Sequence, residues 1–325
     1  MFMTLHPNLD PELRAAVEQM ATLPAGTFLS YELLAQQREQ MNAMVAAMPR
    51  PDTQVVIEDR VVPGPEGAPD VRLRTYRPPE DGPARPGLYW IHGGGMIIGT
   101  PELDDAMLVD HVERLGVVAV SVEYRLAPEH PHPAPVEDCY AGLAWVAKNA
   151  AELGLDPARL AVGGGSAGGG LAAATVLLAR DRGGPEVAFQ LLICPMLDDR
   201  DDTPSSHQFT EAVVWDREAN RFGWRALLGD RVGTDDVPPY AAPARATDLA
   251  GLPPAFVDVG ELEVFRDECA DYALRLARAG VSTEFHLYPG AFHGFDMMVP
   301  DAALSVRARE TRLAALRRAL QIPQP

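Results

Sequence analysis

RLAVGGGSAGGGLAAATVLLA, residues 159–179, is the stretch on which the reading of this chain turns. A short apolar run leads into Gly164-Gly165-Ser166-Ala167-Gly168-Gly169-Gly170, and a small-residue helical pattern follows at once. Strand, sharp turn and helix with G-x-S-x-G at the turn place a serine on the apex of a strained elbow. The residues two positions before and after that serine must lack side chains so that strand and helix can approach. The helix N-terminus then offers backbone donors and the positive end of its dipole to a developing oxyanion. The same letters satisfy G-x-G-x-x-G through Gly163, Gly165 and Gly168, a dinucleotide fingerprint. That reading requires an acidic residue about 20 positions on, at the end of the next strand. The first acid there is Asp198, well past that distance, and the motif lies halfway along the chain instead of near its start. The elbow is therefore the preferred reading.

Outward from the elbow, continuous apolar runs alternate with helical patterns. The runs are 87–92, 117–122, 159–164, 189–194, 255–260 and 283–288; the helical patterns cover about 102–115, 136–153, 167–181, 266–279 and 302–320. Upstream, QVVIEDRVV and VRLRTYRP form a hairpin around Gly64-Pro65-Glu66-Gly67. The expectation is an α/β fold with an eight-stranded, mostly parallel sheet flanked by helices. At 325 residues the chain exceeds the ~250 of a large single α/β domain, so an accessory part is expected. Two blocks supply it. Residues 1–50 read as helices, one starting at Asp10-Pro11-Glu12 and running through LRAAVEQMATL, one from Tyr31 to Met48 with Leu33, Leu34, Met41, Met44, Val45 and Met48. Residues 198–240 carry no strand pattern and form an insertion with Phe209, Trp215, Phe222 and Trp224. Such a block above a parallel sheet reads as a lid. The expected organisation is a catalytic domain at 51–197 and 241–325, capped by 1–50 and 198–240. In it, Met20, Met41, Met44 and Met48 meet the insertion aromatics above Ser166; padding of the sheet's outside is the alternative.

Three further features converge on Ser166. The run LYWIH ends in His92-Gly93-Gly94-Gly95, glycines that let backbone N–H groups turn toward a carbonyl oxygen. His293 in YPGAFHGF follows a late strand, where a general base belongs; His286 lies inside that strand, and His6, His111 and His207 lack any motif. A carboxylate is expected near the end of AFVDVG. Asp258 sits inside the strand, Asp267 opens the next helix, and Glu261 and Glu263 lie on the loop beyond the strand. Spacing alone leaves these open.

Together these residues resemble the hormone-sensitive-lipase-like branch of the α/β-hydrolases, the bacterial family IV esterases. The likeness covers roughly residues 50–320. It is carried by His92-Gly93-Gly94-Gly95, YRLAPEHPHPAPVED (124–138), Gly164-Gly165-Ser166-Ala167-Gly168-Gly169 and YPGAFHGF (288–295). The resemblance implies the α/β-hydrolase fold with a helical cap, Ser166 as nucleophile, His293 as base, and an oxyanion hole from Gly93, Gly94 and Ala167. It also implies Glu263 as the acid, because Glu263-Val264-Phe265-Arg266-Asp267-Glu268 aligns with the family's usual Asp-Pro-Leu-x-Asp-Glu. Glu replaces the commoner Asp there, and Gly165 stands where the family usually has Asp or Thr. The implied reaction is hydrolysis of a small-molecule ester, with short to medium acyl chains, through an acyl-enzyme and without a cofactor. Amide, formamide or lactone hydrolysis by the same triad is the alternative. A hormone receptor on the same fold is a second, but such receptors lack the catalytic histidine. Family members often pair through a sheet edge, which implies a homodimer.

Composition closes off other classes. With 28 Lys and Arg against 46 Asp and Glu, the net charge of −18 repels phosphate backbones and anionic membrane surfaces, so no nucleic-acid partner is expected. No run of ~18 apolar residues spans a membrane, and the N-terminus shows no signal-peptide pattern. Cys139, Cys194 and Cys269 are odd in number and widely spaced, which suits free thiols in a reducing cytoplasm. Glu129-His130-Pro131-His132 with Cys139 fits no common zinc spacing, so no metal is expected.

Overall fold

The computed structural model describes residues 6–20, 30–49, 51–80, 82–211 and 214–323. The end of the first expected helix (21–23), the Met20 side chain, and Ala212 and Val213 of the insertion lie outside the described residues.

Among the described residues eight strands form one sheet: β1 (Val56–Val62), β2 (Val71–Arg77), β3 (Arg85–Ile91), β4 (Val118–Glu123), β5 (Leu155–Gly165), β6 (Phe189–Ile193), β7 (Ala255–Leu262) and β8 (Thr283–Phe292). Their order is β1-β2-β4-β3-β5-β6-β7-β8. The first two form the hairpin, with Val62 opposite Val71, and β2 joins β4 antiparallel; every other pair is parallel. Helices α1 (Arg14–Met20) and α2 (Leu34–Ala47) precede the sheet. Along it come α3 (Asp105–Leu115), α4 (Ala134–Lys148), α5 (Ala167–Arg182), α6 (Pro204–Gln208), α7 (Arg217–Leu228), α8 (Arg266–Arg278), α9 (Phe295–Met298) and α10 (Ala303–Ala319).

Strands buried on both faces read as near-continuous apolar runs, and β3, β4 and β6 do so, with Ser121 and Gln190 as buried polar exceptions. One face packs against Leu108, Val109, Val112 and Leu115 of α3 and Leu313 and Leu316 of α10; the other is covered by α4, α5 and α8. Each fully buried Leu or Val contributes about 1.5–3 kcal/mol relative to exposure. Helix α5 is buried along its length from Ala167 to Ala179, and its small residues permit that. A Cβ on Gly170 would lie 2.0 Å from the Met196 carbonyl oxygen.

The N-terminal block packs differently from the expectation. In α1 and its approach, Leu9, Leu13 and Val17 enter the main core. In α2 only Leu34 is buried, while Met44 and Met48 are about half exposed, at 50% and 46%. Helix α2 is instead held by a polar contact. Arg38 Nε donates to the Ile97 carbonyl at 2.8 Å, Nη2 to the Ala127 carbonyl at 2.7 Å, and Nη1 pairs with Glu129. An anchor of this kind fixes a helix without an apolar stripe, so the methionine pattern did not report the buried face.

In the insertion, α6 begins with a capping box between Thr203 and Ser206, and α7 is capped by Asp216, whose side chain accepts from Ala219 N. The Tyr31 and Phe222 rings meet at 4.8 Å and His6 faces Phe209 at 6.3 Å, so the two accessory blocks touch. No described helix is long and apolar enough to cross a membrane.

Candidate active site

Parallel strands deliver their carboxyl ends to one edge of the sheet, and each site residue follows such an end. His92 follows β3, Ser166 follows β5, Cys194 follows β6, Glu263 follows β7 and His293 follows β8.

Ser166 has φ 57° and ψ −122°, a left-handed conformation that costs a non-glycine residue roughly 1–3 kcal/mol. Three bonds through its own backbone hold it there: its N–H donates to the Ile193 carbonyl at 2.8 Å, and its carbonyl accepts from Met196 N at 3.0 Å and Gly170 N at 3.1 Å. The flanking glycines are required by space. A Cβ on Gly164 would sit 2.3 Å from the Gly168 carbonyl oxygen, and one on Gly168 would sit 2.0 Å from that of Ile91. Around Gly165, by contrast, nothing lies within 4 Å of a Cβ. Position 165 therefore has room for the side chain that the resemblance would put there.

The Ser166 hydroxyl reaches His293 Nε2 at 3.0 Å. On its other side, the His293 Nδ1–H donates to Glu263 Oε2 in a short bond. Glu263 is 1% exposed, and its Oε1 accepts the Gly260 N–H at 2.9 Å, which sets the carboxylate plane. Paired this way, Glu263 assigns the proton to Nδ1 and leaves Nε2 free to accept from the serine. Phe265 packs edge-on against the imidazole at 5.4 Å.

The other three carboxylates are engaged elsewhere. Glu261 accepts from Asn8 Nδ2 and from Gly290 N, both at 2.8 Å. Asp267 accepts from Ser205 N at 2.7 Å. Asp258 pairs with Arg312. His286 bonds its strand neighbour Glu284, away from the elbow.

The glycine loop after β3 lies against the elbow. A Cβ on Gly93 would be 3.1 Å from the Gly165 carbonyl oxygen, and Gly94, at φ 113°, accepts from Ile97 N and Ile98 N with its own carbonyl. Among the described residues the Gly93 and Gly94 N–H groups donate to no protein acceptor. Ala167, first residue of α5, likewise has an N–H that no helical carbonyl uses. His92 underpins the loop. Its ring stacks on Tyr124 at 4.3 Å, Tyr124 Oη donates to the His92 carbonyl at 3.0 Å, and burial pushes its pKa down to about 4, so it is neutral. Arg38 ties the accessory helix to the same loop through Ile97, and the Trp215 ring lies on Gly95, where a Cβ would come within 2.3 Å of it.

Burial by itself lowers the His293 pKa, but the adjoining Cys194 sulfur and Glu263 carboxylate outweigh it and hold the imidazole well above its ordinary value. Burial also pushes the Cys194 thiol up, so the sulfur is uncharged near neutrality and Glu263 is the operative cause. Cys194, Glu263 and His293 present donor atoms within 4.8 Å of one another, the one set of three among the described residues that could reach a metal ion. Two of its members already pair as carboxylate and imidazole. Sequence reasoning treated Cys194 only as a free thiol and did not find Arg38 or Arg312. Their sequence neighbourhoods carry no motif, and only the position of Cys194 directly after a strand end hinted at its place.

The family described by the α/β-hydrolase fold matches residues 88–297. Carboxylesterase NlhH of Mycobacterium tuberculosis is 39% identical over 319 residues, 97% of each chain, and esterase LipI of the same species is 35% identical over 86% of this chain and 87% of its own. Among solved structures, a bacterial heroin esterase superposes with TM-score 0.89 at 45% identity, covering 98% of this chain and 99% of that one. Esterase LipW from Mycobacterium marinum superposes with TM-score 0.85 at 40% identity over 96% of both chains.

Proposed function

The chain belongs to the α/β-hydrolase family, in its hormone-sensitive-lipase-like branch of esterases, and on that premise we propose that Ser166, His293 and Glu263 carry its carboxylesterase activity through an acyl-enzyme. The observation that carries this reading is the continuous relay from the Ser166 hydroxyl through His293 to the buried Glu263 carboxylate at a strained elbow. His293 Nε2 takes the hydroxyl proton as Oγ attacks the ester carbonyl. The N–H groups of Gly93, Gly94 and Ala167 receive the oxyanion, and Glu263 stabilises the imidazolium. The imidazolium then protonates the departing alcohol. Water, deprotonated by His293, attacks the acyl-Ser166 carbonyl, releasing the acid and restoring the serine. No step needs a cofactor. Release of p-nitrophenol from p-nitrophenyl acetate tests the reading, and a folded enzyme inert to the whole p-nitrophenyl ester series would count against it.

The raised His293 pKa makes a pH prediction. The base works only when neutral, so kcat/KM should climb as pH rises through a midpoint above the ordinary ~6.5 of histidine. A midpoint at or below that value would mean that Glu263 does not hold the imidazolium in the free enzyme.

Residues 1–50 and 198–240 form the cap in this proposal, supported by the Tyr31–Phe222 and His6–Phe209 contacts and by Trp215 against Gly95. Deleting 1–50 would also strip Leu9, Leu13 and Val17 from the core, so the pair of substitutions Tyr31→Ala and Phe222→Ala is the sharper test. Its kcat/KM should fall more for hexanoate than for acetate esters, since each buried methylene contributes ~0.8 kcal/mol. An equal loss at every chain length would identify these residues as padding. Short to medium acyl esters are the substrates this cap suits. The three unpaired cysteines support a reducing, cytoplasmic location. The edge position of β8, with Leu287 46% exposed, supports a homodimer formed edge to edge.

A further inference from the structure

Close to Glu263 lies a buried charged cluster that the ester chemistry leaves unused. The Arg312 side chain enters from α10 and is 6% exposed. Its Nε donates to Asp258 Oδ2 at 2.6 Å, its Nη2 reaches Asp258 Oδ1 at 3.3 Å, and its Nη1 donates to Asp296 Oδ2 in a short bond. Asp258 belongs to β7, the strand that leads into Glu263. Asp296 belongs to α9, which begins directly after His293-Gly294. One guanidinium thus joins the strand that delivers the acid to the turn that delivers the base. Arg309, one turn earlier on α10, donates to the Asp296 carbonyl at 3.0 Å and fastens the same turn. A narrow cavity is lined both by the cluster, through Asp258, Asp296 and Arg312, and by the acid Glu263, with Cys194 and Phe295 beside them.

Stability alone is a poor reason for such a cluster. Taking three charges out of water is costly, and well-packed apolar residues of the same volume often serve stability equally well. Placement on the two segments that deliver Glu263 and His293 supplies a better reason. Resting on the reading of Ser166, Glu263 and His293 as the triad, we propose that Arg312 is a positioning residue for ester hydrolysis. It clamps Asp258 and Asp296 so that acid and base stay in register with Ser166, and its charge offsets two carboxylates near the acid–base pair.

The surrounding groups define what a pH profile reports. His293 itself meets Ser166, Glu263 and Cys194. Beyond Arg312 stand Asp104 and His111 from the α3 side and Tyr288 from β8. Burial pushes Asp104 up to about 7 and His111 down to about 4, so Asp104 titrates in the working range and His111 stays neutral there. An Asp104→Asn background separates that titration from the one at issue.

The test measures kcat and KM across neutral and alkaline pH, per active site counted by organophosphate labelling. Arg312→Met should lower kcat by roughly ten- to a hundredfold through misplacement of the pair, with KM nearly unchanged. Its acid limb should move up by about one pH unit, because uncompensated carboxylates favour the imidazolium. Arg312→Lys should return the limb but only part of kcat, since an ammonium cannot bridge both carboxylates with a planar fork. Asp296→Asn, which removes one negative charge, should move the limb down. Folded Arg312→Met with normal kcat per active site and an unmoved limb would overturn the proposal, however much its melting temperature fell. Should Arg312→Met not fold, unmoved limbs in both Arg312→Lys and Asp296→Asn, with full kcat in each, would overturn it equally. The triad reading is judged separately, by loss of turnover in Ser166→Ala, so the clamp can fail while the triad stands.

Discussion

Ser166→Ala is expected to lower kcat on the order of a millionfold, the loss seen when a serine hydrolase is stripped of its nucleophile. The hydroxyl has one partner among the described residues, His293 Nε2, and no second hydroxyl stands at the elbow to replace it. The backbone bonds that hold the turn, from Ser166 N to Ile193 and from Met196 N to the Ser166 carbonyl, do not involve the side chain. Alanine should therefore keep the fold and the strained φ while removing only the attacking oxygen. Residual turnover would reflect what the Gly93, Gly94 and Ala167 donors contribute to direct attack by water. An organophosphate should add one adduct to the parent enzyme, mapped by mass spectrometry to Ser166, and none to the variant. An adduct on any other residue, or a variant that keeps its rate, would remove Ser166 from the mechanism.

The next largest effect is expected from Glu263→Gln, about ten-thousandfold in kcat with folding retained. The geometry supplies the reason. Oε1 accepts the Gly260 N–H, so the glutamine must keep its carbonyl oxygen there and turn its NH2 toward His293 Nδ1. Nδ1 must then accept, the proton moves to Nε2, and Nε2 can no longer accept from Ser166. Loss of the carboxylate also removes the charge that raises the His293 pKa, so the residual activity should show an acid limb at lower pH than the parent. Glu261→Gln is the matched control. Its carboxylate serves Asn8 and Gly290, so the change should cost about 1 kcal/mol of stability and leave kcat within a few-fold. If the two variants exchanged behaviours, the acid would be Glu261.

Much of this protein is written locally. The eight strands, the hairpin at Gly64–Gly67 and the helices flanking the sheet follow from runs of apolar residues and their punctuation, because a strand covered on both faces is apolar along most of its length. The elbow at Ser166 and the glycines around it are equally legible. A strained turn packed against a helix and a neighbouring strand admits glycine alone at 164 and 168, and the close contacts with Gly168 and Ile91 are the physical form of that demand. His293 was readable because it follows the last strand end.

Tertiary structure decided what sequence spacing left open. Four carboxylates near β7 were equivalent on spacing; they differ only in which side chain or backbone group arrives from elsewhere in the chain. Asn8 and Gly290 occupy Glu261, Ser205 occupies Asp267 and Arg312 occupies Asp258, which leaves Glu263 facing His293. Helix α2 shows the same limit: its methionines suggested a buried face, but three hydrogen-bond partners of Arg38, distant in sequence, hold the helix with Met44 and Met48 outward. Periodicity and turn chemistry are properties of neighbouring residues and can be read in one dimension. A charge's partner is fixed by which distant elements the fold brings within about 3 Å, and no local pattern encodes that distance.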